Sequence, residues 1–198
     1  YHGVFVWLGG LAFFFQLYCD FSAYVDVSMG VARMLGVHLS PNFSNRVYAS
    51  SSRSEFWKGW HKTLNAWFRD YVFFALVKGR RSAGKIDLVM LLTFILIGLW
   101  HALSWQFFLW GALNGLWVIG ETKIRARLPE LTSRFWKVAG MVYHLSLASC
   151  MAVIFSTDNL GASWRALVSP TKQQLAEDFM LPKFIFIIPL FLFMDVVN

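Results

Sequence analysis

The sequence predicts an all-α, polytopic integral membrane protein: a helical bundle with one interfacial amphipathic helix and one re-entrant helical hairpin. Three observations carry this. First, of 198 residues 57% are hydrophobic and only 15% charged, against about 45–50% and about 25% in an average soluble domain, and mean hydropathy is +0.51. Second, runs of 17, 33 and 18 residues, at 3–19, 88–120 and 138–155, contain no Asp, Glu, Lys or Arg. Third, Lys and Arg outnumber Asp and Glu 18 to 11 and gather in the gaps between those runs, a distribution set by membrane topology rather than by nucleic acid. The same composition excludes disordered and collagen-like chains. Ten Trp and twenty Phe suit a surface spent in lipid and at its interface.

Residues 3–19 stand at the lower limit of the about 17–25 apolar residues that span a bilayer. They run directly into Asp20, Ser22, Tyr24 and Asp26, after which 27–39 is again largely apolar. Acids at such depth are costly and mark a lined cavity or a buried partner; a tight interfacial turn capped by Ser22 is the alternative. Residues 41–54 are polar and turn-rich, hence a loop. Ser54 then reads as the N-cap of a helix over 55–71. At about 100° per residue, Trp57, Trp60, His61, Leu64, Trp67, Phe68 and Tyr71 share one arc of roughly 120°, and Lys58, Lys62, Asn65 and Arg69 share another. Such a helix lies along the membrane surface, on the side where anionic lipids attract Lys and Arg, the cytoplasmic one.

A basic loop at 78–87 leads into 88–120, which is too long for one ordinary span and too short for two separated by a loop. The break falls at 102–106. The first arm, 86–101, then reaches about 24 Å at 1.5 Å per residue, short of the about 30 Å hydrocarbon core. His101 ends this arm at membrane depth, beside irregular backbone that protein or a water-filled cavity must satisfy. Basic flanks on both sides put both ends of the hairpin in the cytoplasm, and Gly111 and Gly115 let its second arm pack closely. Residues 138–155 cross outward, 156–183 balance three positive and three negative side chains on the outer side, and 184–194 return. Cys19 and Cys150 lie inside apolar runs as packing residues. The chain opens on Tyr1 and closes after a segment too short to span, so it is expected to be a piece of a larger protein.

Five histidines are candidates for chemistry. His2 is terminal, His38 borders a loop, and His144 stands in an apolar run with no acid nearby. His61 and His101 differ, each embedded in Trp (WKGWH and GLWHALSW). A histidine there can act as a general base on a hydroxyl; proton relay, metal binding and satisfied packing are open alternatives on the residues alone. Metal is the weakest of them, because the two histidines with Asp20 and Asp26 make no recognisable ligand spacing. No G-x-S-x-G elbow, P-loop or dinucleotide fingerprint is present.

The strings YCDFSAYVD, RMLGVHLSPNF, SRSEFWKGWHKTLNAWFRDYVF and GLWHALSWQFFLWGALNG, in that order and spacing, resemble the membrane-bound O-acyltransferase family, and within it the bacterial branch of alginate O-acetylation and teichoic acid D-alanylation proteins. The likeness is strong over 3–121 and weaker over 141–168. It implies that the whole chain, 1–198, is the C-terminal portion of a single such domain, in a multi-pass protein of the bacterial cytoplasmic membrane. It implies transfer of an acyl group, most simply acetyl, from a cytoplasmic donor to a hydroxyl of an extracytoplasmic polysaccharide or acyl-relay protein. No bound cofactor is implied, the donor being a co-substrate such as acetyl-coenzyme A or an acyl carrier protein; nucleic acid is not a partner. The family's essential W-H-G histidine falls on His101 and its R-W-H histidine on His61. Asp20, Ser22, Tyr24 and Asp26 fall on its D-F-S-G-Y-x-D motif, and with Trp60 and Trp100 they are expected to line or brace the substrate channel. Three positions depart from the pattern. Ala102 replaces a glycine and reduces backbone freedom at the break, Gly59 costs about 1 kcal/mol in mid-helix, and Val77-Lys78 interrupts the usual L-G-G. A weakened homologue serving as an export or scaffold component is the alternative reading.

Overall fold

A computed structural model of the protein describes residues 2–79, 82–127, 133–157, 160, 161 and 164, with side chains from residue 7 onward. Among these residues all regular structure is helical. Three of the described helices are long and apolar enough to cross a membrane, over Trp7–Met34, Ala83–His101 and Arg134–Ser156. The expectations for the returning segment 184–194 and most of the outer stretch lie outside the described residues.

Helix α1 spans His2–Met34, 33 residues or about 50 Å. It passes without interruption through Asp20, Ser22, Tyr24 and Asp26, so the alternative of an interfacial turn is corrected. Ser22 caps nothing; its hydroxyl donates back to the Cys19 carbonyl at 3.3 Å, a bond that leaves the helical ladder intact. The helix ends instead at Gly36, whose φ of 78° allows Val37 N–H to reach Ala32 O at 2.9 Å and Gly36 N–H to reach Arg33 O at 3.0 Å. This is the Schellman closure that satisfies the last carbonyls.

The expected single helix over 55–71 is also corrected. The chain forms α2 (Arg53–Gly59), α3 (Lys62–Phe68), one π-turn (Arg69–Phe73) and α4 (Phe74–Val77). The N-cap is Ser52, two residues before Ser54, with its side chain accepting from Glu55 N–H at 3.0 Å. Glu55 reaches back to Ser51 N–H at 2.8 Å, so S-x-x-E is a capping arrangement that outcompetes a cap at Ser54. Gly59 is not in mid-helix. It closes α2 where a Cβ would meet Val47 Cγ2 at 3.0 Å and Ser44 Cβ at 3.1 Å, and its carbonyl accepts from Ser44 N–H at 2.9 Å. Because the helix breaks here, the predicted apolar arc is not one surface: Phe68 is buried while Trp67 and Tyr71 are exposed.

Helices α5 (Ala83–His101) and α6 (Trp105–Arg125) form the predicted hairpin, joined by three residues. A Cβ on Gly98 would collide with the Phe107 carbonyl, one on Gly111 with the Phe94 carbonyl, and one on Gly115 would lie 3.0 Å from Phe94 Cβ. Glycine spacing therefore sets backbone-close, antiparallel packing, and an ion pair between Lys123 and Asp87 joins the open end. The first arm is longer than expected. Ser82 accepts from Lys85 N–H at 3.2 Å and starts the helix three residues early, so α5 reaches about 28 Å. Shortness is thus no longer a reason to call the hairpin re-entrant.

Helix α7 covers Arg134–Ser156. The chain divides into two compact units, Tyr1–Ala23 with Leu145–Asn198, and Tyr24–His144. Within the first, Ser149 Oγ donates to Trp7 O at 2.5 Å and a Cβ on Gly10 would lie 2.7 Å from Ser149 Oγ, so α1 and α7 pack there through small residues. The second unit holds both candidate histidines.

Candidate active site

His101 is the last residue of α5. Its Nδ1 lies 2.8 Å from the Ile97 carbonyl of its own helix; a carbonyl only accepts, so Nδ1 carries the hydrogen and, in the neutral ring, Nε2 carries the lone pair. The ring lies parallel to Phe107 (6.1 Å between centroids, 6°) and edge-on to Trp110 at 5.5 Å. Ala102 follows with φ −162° and ψ 143°. That is extended backbone open to any residue, so the glycine of the family pattern is not needed here, and the expected loss of freedom has no consequence.

His61 has φ 46° and ψ 55°, left-handed backbone that costs a non-glycine residue about 1–3 kcal/mol unless its surroundings impose it. They do. Asn65 Nδ2 donates to the Trp57 and Trp60 carbonyls at 2.7 and 2.5 Å, capping the broken end of α2. Across the break, Asn42 accepts from Lys62 N–H through its backbone oxygen at 2.9 Å and from Thr63 N–H through Oδ1 at 3.0 Å. His61 Nδ1 is 3.2 Å from that same Oδ1. Burial pushes the His61 imidazole down to about 4, with His101 adding to the depression, so His61 is neutral near pH 7.

The two histidines meet across Trp100. Its ring is 4.9 Å from His101 and 6.3 Å from His61, both edge-on, and Trp100 is 57% exposed. Trp60, expected beside substrate, is instead buried between Phe56 (5.2 Å, stacked) and Phe43 (5.1 Å). It supports the junction that carries His61. Tyr24 is 70% exposed and Asp20 and Asp26 are exposed as well. Among the described residues Tyr24 and Asp26 make no hydrogen bond or ion pair with either histidine. No group of three or more His, Cys, Asp or Glu among the described residues could hold a metal.

Sequence reasoning misses Arg53, which it leaves in a polar loop. Arg53 is only 4% exposed. Its Nε and Nη2 donate to Asn114 Oδ1 at 3.1 and 2.6 Å, and its backbone N–H donates to Glu121 Oε2 at 2.7 Å. The guanidinium lies 4.7 Å over Phe56 and 5.5 Å over Trp57. Burial pushes it down to about 10, opposed by Glu121, so it stays charged. Glu121 also accepts from Arg125 Nε at 3.0 Å. Arg53 thus ties the start of α2 to α6, and Trp57 continues the tie by packing on Phe94 and Trp110, the latter already against His101. His144, set aside on sequence grounds, is buried against Phe56 at 4.8 Å. The only sequence signal for Arg53 is its place inside the S-x-x-E cap.

Comparison with known proteins agrees with the motif resemblance. The profile of the membrane-bound O-acyltransferase family matches residues 1–164. The chain is 38% identical over 159 residues to the "Probable alginate O-acetylase" of Azotobacter vinelandii, a match covering 80% of this chain and 31% of that protein. It is 34% identical over 158 residues to the peptidoglycan O-acetyltransferase of Helicobacter pylori, covering 80% and 28%. To the teichoic acid D-alanyltransferase of Streptococcus thermophilus it is 26% identical over 164 residues, covering 72% and 39%. The chain therefore spans about a third of the length of these relatives. With the profile running through both histidine segments and the whole α5–α6 hairpin, the chain belongs to the membrane-bound O-acyltransferase family.

Proposed function

We propose that the protein to which this chain belongs transfers an acyl group, most simply acetyl, from a thioester donor on the cytoplasmic side to a hydroxyl of an extracytoplasmic polysaccharide or of a relay protein. The bacterial cytoplasmic membrane is its place. The single observation that carries the reading is the Nδ1–H donation of His101 to Ile97 O, which leaves Nε2 as the basic nitrogen at the end of a membrane helix. In the step, Nε2 takes the proton of the acceptor hydroxyl as its oxygen attacks the thioester carbonyl. The O–acyl bond forms, the C–S bond breaks, and the imidazolium returns the proton to the departing thiolate. The relatives support the acyl transfer class, since two of those compared are named for O-acetylation and one for D-alanylation. The basic residues Lys85, Lys123 and Arg125 at the open end of the hairpin support a cytoplasmic position for that end. Asp20, Ser22, Tyr24 and Asp26 fit a channel lining on α1, and the accessible Trp100 a contact for substrate.

The test is acyl transfer by the full-length protein in membranes with His101 replaced by alanine. Loss of transfer at unchanged membrane abundance is expected. Retained transfer would overturn the assignment of His101; polymer export that depends on the protein, with an acylation state unchanged on losing His101, would favour a scaffold or export component.

A further inference from the structure

Resting on the acyltransferase reading, we infer that Asn42 is a positioning residue that fixes the tautomer of His61, so that this histidine works through an unprotonated Nε2. Thr63 backbone N–H can only donate, and the atom it meets at 3.0 Å is the side-chain oxygen of Asn42. The backbone therefore sets the orientation of the amide. The Thr63 hydroxyl at 3.0 Å is satisfied by the same oxygen. That oxygen stands 3.2 Å from His61 Nδ1 and can only accept, so Nδ1 bears the hydrogen.

Asn42 is itself held in place. It is 9% exposed and its backbone oxygen accepts from Lys62 N–H, so one residue from a distant loop bonds three consecutive residues, 61, 62 and 63. Left-handed backbone at His61 cannot supply those bonds from its own helix, and Asn42 replaces the missing turn. The tautomer matters because the ring is neutral near pH 7, half-buried and acted on by His101 of α5. Both histidines then present Nε2 as an acceptor. One can take the hydroxyl proton and the other can accept a hydrogen bond from substrate, while neither can donate to the acyl oxygen from Nε2 in its neutral form. An asparagine in a loop 19 residues before His61 thereby decides what that histidine can do.

The test uses full-length protein, 15N-labelled at histidine and reconstituted in nanodiscs, with the His61 signals identified by their loss in His61→Gln. At pH 7 the wild type should show a protonated Nδ1 and an unprotonated Nε2. Asn42→Asp preserves the shape and the acceptor but adds a charge. It should keep the tautomer, raise the His61 titration midpoint by about one pH unit or more, and move the acid limb of the transfer rate upward with it. Asn42→Leu should shift His61 towards the Nε2–H form and lower transfer about tenfold or more. A wild-type Nε2–H tautomer, or no rise of the midpoint in Asn42→Asp, would overturn the inference. Because the nitrogen shifts are read without turnover, a protein with the predicted tautomer and no transfer activity would overturn the acyltransferase reading alone.

Discussion

His101 closes a 19-residue helix and hands its Nδ1 hydrogen to a carbonyl of that same helix, four residues back. His61 sits between two seven-residue helices in left-handed backbone and hands its Nδ1 hydrogen to a side chain 19 residues away. One orientation is a by-product of helix formation; the other is assembled from Asn42, Asn65, Ser44 and Gly59, none of which has any other evident task in the site. Tolerance to substitution should differ accordingly. The His101 segment can absorb changes that keep a helix, whereas the His61 segment also depends on Asn42 and Ser44, which its own helices do not contain.

The sharpest way to break this comparison is the pair of alanine variants. His101→Ala should lower acyl transfer by about 10²- to 10⁴-fold, the usual contribution of a general base, and His61→Ala by less; the reverse order, measured as initial rates at matched membrane abundance, would exchange the two roles. Next comes the tie between the two segments. Arg53→Ala leaves the buried Asn114 oxygen without its donor and should cost about 1–3 kcal/mol of stability, read as a lower unfolding temperature in detergent. Arg53→Lys should recover little, since an ammonium cannot reproduce the paired Nε and Nη2 bonds.

A smaller effect at His61 is read by pH. The folded His61 is depressed to about 4 from an ordinary 6.5, so between those values the unfolded chain binds a proton that the folded one does not. Stability should therefore fall as pH drops from about 6.5 to 4, and His61→Gln should flatten that part of the unfolding-temperature profile. The smallest effect belongs to Ala102→Gly, which restores the family glycine. Since position 102 is extended, the rate should change by less than about twofold; a large gain would mean that the backbone there must move during the reaction.

The fold was legible wherever the signal was local. Apolar run lengths located α5 and α7, and the close packing expected of Gly111 and Gly115 is present. Errors fell at boundaries and junctions. Ser54 and Ser52 are equally good caps by residue type, and only Glu55 at the third helical position distinguishes them. Periodicity over 55–71 fits a single helix because an amphipathic count does not register a break at Trp60 and His61. That break is made by Asn42 and Ser44 arriving from a loop, and by the lack of room for a Cβ at Gly59. Asp20, Ser22, Tyr24 and Asp26 left a turn open as the alternative to a lined cavity because acids are costly in a span, yet a helix of 33 residues exceeds the hydrocarbon core by about 20 Å and has length to spare for polar positions. The strings single out His61, His101 and Trp100, and the structure brings these three rings together. Trp60 was readable as important but not as buried, and Arg53 and Asn42 were not readable, because their partners are remote in sequence.

The bonds of Arg53 also impose an order on manufacture. Its partners, Asn114 and Glu121, lie 61 and 68 residues downstream, so a ribosome that has just released α2 has made a guanidinium with nothing to bind. The α5–α6 hairpin, by contrast, closes over a three-residue connection and can form as soon as it is synthesised. Both partners belong to α6, the second arm of that hairpin, so the synthesis that closes the His101 half also supplies what allows the earlier Trp57–His61 half to settle. A nascent chain stalled before Asn114 would carry both histidines and lack the anchor that brings them into register.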